Sequence, residues 1–128
     1  MPQNAGAVTV ATKGGAQSPL ALDAEGNLLV SPGSTSSSLN ATAAKVIKAT
    51  AGRVAKVTII NAGATSGAFT LHDCATTGAA AASHEIWTLP QASSLNVAGA
   101  VFELDWPCAT GIVLSGVVAG GTVAISFT

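Results

Sequence analysis

From Leu39 to the C-terminus, short runs of β-branched and aromatic residues are interrupted every eight to fifteen residues by glycine-containing turns. That rhythm leaves too little unbroken chain for helices and is the pattern of a β-sandwich or barrel. Within the runs, Phe69 and Leu71 alternate with Thr70 and His72, and Phe102, Leu104 and Trp106 alternate with Glu103 and Asp105. At the C-terminus Val123, Ile125 and Phe127 alternate with Thr122, Ala124, Ser126 and Thr128. Successive side chains of a strand point to opposite faces, so each apolar set predicts one core face, with Trp106 inside alongside Leu104. Val46-Ile47 and Val54 to Ile60 predict two further strands, separated by Ala51-Gly52. Gly120-Gly121 offers the positive φ angles of a two-residue hairpin turn. Ala79 to Ser83 holds the only strong helix formers, and five residues support one turn at most.

A chain of 128 residues has room for one domain with a real core. Residues 1–38 are rich in Gly, Ser, Ala and Pro and read as an N-terminal arm, and residues 39–128 read as the sandwich domain. Inside the arm, Asp23-Ala24-Glu25-Gly26-Asn27 has turn chemistry between Leu20-Ala21-Leu22 and Leu28-Leu29-Val30, which predicts a small hairpin. Ser31 to Ser37 then reads as a flexible connector. Leu28, Leu29 and Val30 are candidate interface residues. Met1-Pro2-Gln3-Asn4 offers neither the basic nor the apolar region of a secretory signal, so export by that route is not expected. The uncharged tract from Trp106 to Thr128 is broken by Pro107, four glycines and several hydroxyl residues, so it predicts strands and turns, not a membrane span.

Charged residues make up only 9% of the chain, and the net charge is −1. A basic stripe that could track phosphates cannot be built from five Lys and Arg, which argues against nucleic acid as a partner. Most of the surface must instead be Ala, Gly, Ser, Thr and Asn, which lose little rotamer entropy when covered by another subunit.

The residues that could carry chemistry do not fall into a catalytic pattern. His72, Cys74, His84 and Cys108 match no zinc spacing, and there is no nucleophile elbow, phosphate-cradling loop or paired-histidine helix motif. No enzyme activity, metal or cofactor is expected. Asp73-Cys74-Ala75-Thr76-Thr77-Gly78 and Pro107-Cys108-Ala109-Thr110-Gly111 echo each other as loops following strands, which predicts equivalent corners. Cys74 and Cys108 are then either one disulfide or two buried thiols, with the thiols favoured because nothing points to an oxidising compartment. Trp87 lies on the face of Leu89 and either caps the core or enters a subunit contact.

Ser38-Leu39-Asn40-Ala41-Thr42-Ala43-Ala44-Lys45-Val46-Ile47-Lys48 with Gly52-Arg53-Val54 resembles small virion proteins encoded beside the major capsid gene of tailed bacteriophages. So do Asp73 to Ala80 and Leu104-Asp105-Trp106-Pro107-Cys108-Ala109-Thr110-Gly111-Ile112-Val113. The likeness implies a head decoration, or cement, protein with an all-β, jelly-roll-like antiparallel β-sandwich and an extended N-terminal arm. It further implies a homotrimer on the capsid exterior of the virion, made in the host cytoplasm, that stabilises the head by bridging major capsid protein subunits. A head-fibre base, neck or tail component, and a carbohydrate-binding or adhesion module, stay open as alternatives. Neither nucleic acid nor a membrane is an expected partner.

Overall fold

The computed structural model describes residues 9–11, 17–19, 24–27 and 36–128. The chain divides into two compact units, Met1–Gly33 and Ser34–Thr128. In the first unit, strands β1 (Thr9–Ala11) and β2 (Gln17–Pro19) pair antiparallel. Residues 24–27 form an exposed turn in which Gly26 takes φ +88°. Leu20 to Leu22, the candidate interface residues Leu28, Leu29 and Val30, and most of the expected connector lie outside the described residues.

The second unit is an all-β body of eight strands: β3 (Ser36–Ala41), β4 (Lys45–Lys48), β5 (Gly52–Ala62), β6 (Ala68–His72), β7 (Glu85–Pro90), β8 (Val101–Cys108), β9 (Ile112–Gly116) and β10 (Gly121–Phe127). The strand layer thus begins inside the stretch read from sequence as connector, because Ser36 to Ser38 pair with Phe127 to Ile125. Two four-stranded antiparallel sheets result, in the orders β3-β10-β5-β8 and β4-β9-β6-β7. The pairing is nested. β6 and β7 form the innermost hairpin, and β5–β8, β4–β9 and β3–β10 pair in turn outside it, with successive pairs alternating between the sheets. The β10–β5 and β9–β6 pairings complete each sheet.

The sheets face each other as a sandwich over one apolar layer. Val54, Val57, Ile59, Val123 and Ile125 come from one sheet, and Phe69, Leu71, Leu89, Ile112 and Leu114 from the other, all of them buried in a single cluster. Each fully buried side chain of this size contributes about 1.5–3 kcal/mol relative to leaving it in water. The alternation seen in sequence lands as expected at Phe69 and Leu71 and at Val123 and Ile125, while Phe102, Leu104 and Phe127 pack against the cluster from its edge.

Two expectations fail for identifiable reasons. Gly120-Gly121 does not close a hairpin, because β9 and β10 lie in different sheets and each already has two partners. Instead Gly121 N–H donates to the Val118 carbonyl at 2.7 Å, and Gly120 alone of the pair takes positive φ, so the chain turns while crossing between sheets. Trp106 is 50% exposed and not in the core. β8 is an edge strand, and its three steps from Glu103 to Trp106 span what two steps cover on β5, leaving a bulge at Leu104–Asp105 with Asp105 at φ +45°. The single helical turn expected over Ala79 to Ser83 does not form as a unit: two 3-10 turns, Thr77–Ala79 and Ala82–His84, flank Ala80 and Ala81, which are extended.

Gly63 and Gly120 both have φ +75°, but a Cβ at Gly63 would meet Val118 Cγ1 at 2.5 Å and the Ala119 carbonyl at 2.7 Å, whereas one at Gly120 meets nothing. Gly120→Ala should therefore cost about 1–2 kcal/mol of unfolding free energy for its backbone strain alone. Gly63→Ala should cost a further ~1–3 kcal/mol for overpacking. Urea denaturation of the two variants reads the difference, and equal midpoints would contradict this packing.

Candidate functional site

Three features of the body could carry function: a clasp at one corner, a cleft beside it, and a rim of exposed apolar side chains.

The clasp is built by Asp73, directly after β6. Its carboxylate accepts backbone N–H bonds from Ala109 at 2.9 Å, Thr110 at 2.8 Å and Gly111 at 3.1 Å, while its own N–H donates to the His84 carbonyl at 2.8 Å. Burial works against the charge, but the bonds from Thr110, Ala109 and Gly111, with the His84 imidazole nearby, outweigh it and hold the carboxyl below the ordinary value of 3.8. Gly111 is required here because a Cβ would collide with the Cys74 and Lys48 carbonyls. The two echoing Cys-Ala-Thr loops are thus brought together, with the first supplying the acceptor and the second the donors.

Cys74, in the first of these loops, and Cys108, the last residue of β8, are buried, free thiols. Burial pushes the Cys74 thiol up, and burial followed by the Asp73 charge pushes Cys108 up to about 11. Both stay protonated and weakly nucleophilic at neutral pH. The other sequence candidates scatter. His72 is buried and its Nδ1 lies 2.7 Å from Ser115 Oγ, which donates to the Thr70 carbonyl at 3.3 Å. The Ser115 hydroxyl thus bridges the buried ring and the β6 backbone, and the ring tautomer sets whether it donates to Nδ1 or accepts from it. Among the described residues, no three His, Cys, Asp or Glu side chains converge as a metal site. Trp87 is partly buried, with its ring 5.4 Å from Phe102 and tilted by 53°. It closes the core where the edge strands β7 and β8 face each other.

The cleft has a volume of about 450 Å³, and its lining includes Cys74, His84, Glu85, Ile86, Trp106 and Thr110. Sequence reasoning placed Trp106 in the core and so missed this wall; the bulge that frees it leaves no sequence signature beyond an Asp at the strained position. The rim comprises Ile60, Leu95, Val97 and Val101, each 49–61% exposed. Backbone bonds gather them: Ile59 N–H donates to the Ala100 carbonyl, Gly99 N–H to the Ile59 carbonyl, Ala100 N–H to Val97 and Val97 N–H to Leu95. Asn96 pins the same loop, donating through Nδ2 to the Ala62 and Gln91 carbonyls. Among the described residues, no helix is long and apolar enough to cross a membrane. Neither a family model, nor a curated protein, nor a solved structure matches the chain.

Asp73→Asn keeps the shape but removes the charge that three donors serve. It should lower unfolding free energy by about 1–3 kcal/mol at neutral pH. Because the folded carboxyl ionises below the unfolded one, the wild-type advantage is fully present above 3.8 and fades as pH falls through the folded value. Denaturation of both proteins across this acid range tests the clasp, and a gap that ignores pH would argue against it.

Proposed function

We propose that the chain is a capsid decoration, or cement, protein of a tailed bacteriophage, a homotrimer that binds the outside of the head and bridges major capsid protein subunits. Two nested Greek keys in the orders β3-β10-β5-β8 and β4-β9-β6-β7 support a jelly-roll reading of the body, an architecture used in viral capsid and lectin domains. Fold alone does not fix function. The observation that carries the reading is the rim: Ile60, Leu95, Val97 and Val101 stand in water on one loop-and-strand end of the body, and Leu39 is 67% exposed on β3. Gathered apolar side chains of this kind mark surfaces that another protein covers.

Charge favours the same outcome. From Ser36 onward the body has four basic residues (Lys45, Lys48, Arg53, Lys56) and four acidic ones (Asp73, Glu85, Glu103, Asp105), a net charge of zero. Two opposite pairs, Arg53–Asp105 and Lys56–Glu103, lie side by side on β5 and β8. A neutral exterior removes the repulsion that keeps identical copies apart. Three modest contacts per trimer, each on a different capsid subunit, then add through effective concentration. On this reading the segment that precedes β3 is the arm that contacts neighbouring capsid subunits.

The test pairs light scattering with co-sedimentation on phage heads lacking this protein. The wild type should run at three times the 12.4 kDa chain mass and sediment with heads to saturation. Val97→Lys with Val101→Lys should leave the fold intact, give monomers, and weaken head binding by on the order of a hundredfold, as expected when avidity is lost. A wild-type monomer that ignores heads would overturn the proposal.

A further inference from the structure

We propose that the cleft beside the Asp73 clasp is a binding site for a neutral saccharide, with Trp106 as its stacking platform. Nothing in the assembly role requires this cleft. None of the residues that line it belongs to the rim of Ile60, Leu95, Val97 and Val101.

The platform is built. Trp106 follows Asp105, a non-glycine residue held at φ +45°. Positive φ costs such a residue roughly 1–3 kcal/mol and persists only where neighbours over-determine it. Arg53 does so: its Nη1 donates to the Asp105 carbonyl at 2.7 Å and to Oδ1 at 3.0 Å. The clamp and the bulge together keep Trp106 on the cleft wall while half of its surface stays in water. An exposed indole held this way is costly unless it meets a partner, and the C–H face of a sugar ring is the apolar, flat surface that matches it.

The remaining walls supply polar groups of the right kind. Glu85 offers a carboxylate, Ser83 and Thr110 offer hydroxyls, and Ile86 adds apolar floor. His84 is oriented by its Nδ1, which lies 3.2 Å from the Ala79 carbonyl, so that Nε2 is the polar ring atom left for a ligand. Paired acceptors and donors around an aromatic face are what vicinal hydroxyls require. The volume, about 450 Å³, lies in the range of small-molecule sites.

Other ligand classes fit less well. Among the described residues lining the cleft there are two acids, Asp73 and Glu85, and no Lys or Arg, so phosphate, sulfate and acidic sugars are repelled. A quaternary ammonium ion prefers several enclosing aromatic faces, and one indole leaves it in water. Hydrolysis of the sugar is not part of the proposal. Glycoside cleavage takes two working carboxyl groups, and that of Asp73 is already engaged by three backbone donors.

The chain has two tryptophans, so Trp87→Phe leaves Trp106 as the sole indole reporter. Full-length Trp87→Phe protein is titrated with glucose, galactose, mannose, N-acetylglucosamine, maltose and lactose, with choline and inorganic phosphate as controls. At least one sugar should change the emission saturably while the controls do not. Saturation-transfer NMR with the same sugar should then show affinity falling by on the order of tenfold or more in Trp106→Ala and in Glu85→Gln, each checked for retained β-sheet by circular dichroism. No response to any sugar, a response to choline or phosphate instead, or full sugar binding by folded Trp106→Ala would each overturn the inference. A monomer that binds sugar keeps this inference and removes the assembly reading; a trimer that decorates heads without binding sugar does the reverse.

Discussion

One constraint governs this body: a chain with very few charges and three phenylalanines must close two thin sheets over a single apolar layer, and nested pairing gives every strand both that layer and a neighbour. The β6–β7 hairpin starts the nest, and each later pair lies outside the last. Pairing therefore becomes steadily less local, ending with Ser36 against Phe127. Folds built on such long-range closure form slowly, and loops that cross between the sheets must be fixed for the closure to hold. The Asp73 carboxylate does this at one corner by capping the Ala109–Gly111 turn. At the opposite crossing, Gly121 N–H closes a turn on Val118, whose side chain is itself part of the core.

The sequence made the all-β class and much of the core legible, because period-two alternation is a local property. Phe69 with Leu71, and Val123 with Ile125, read directly as inward positions and are buried. Features that depend on partner strands did not read. Gly120-Gly121 looks like a hairpin from its own residues, and only the prior claims on β9 and β10 turn it into a crossover. Trp106 continues a perfect alternation, yet an edge position and one extra residue at Asp105 leave it half in water. The Cys-Ala-Thr echo was visible as repetition. That a carboxylate of one loop would cap the amides of the other was not, since the two lie 36 to 38 residues apart.

The exterior follows the same economy as the core. Its few charges cancel, and half of them form the Arg53–Asp105 and Lys56–Glu103 pairs across β5 and β8, where exposed ion pairs add at most about 1 kcal/mol each. What distinguishes one end is apolar: a loop pinned by Asn96 presents Leu95 and Val97 beside Ile60 and Val101. The cleft wall at Trp106 is a separate apolar feature, bordered by polar groups in place of further aliphatic side chains. An apolar rim and a cleft with polar walls coexist on one small body because different loops build them.

The central claim is that the rim is a surface meant to be covered, and hydrogen–deuterium exchange of the intact chain at low and high protein concentration tests it most directly. Peptides spanning Gln91 to Val101 should exchange more slowly as concentration rises, while those spanning Asp73 to His84 stay unchanged. Rates over Gln91 to Val101 that do not depend on concentration would contradict the account.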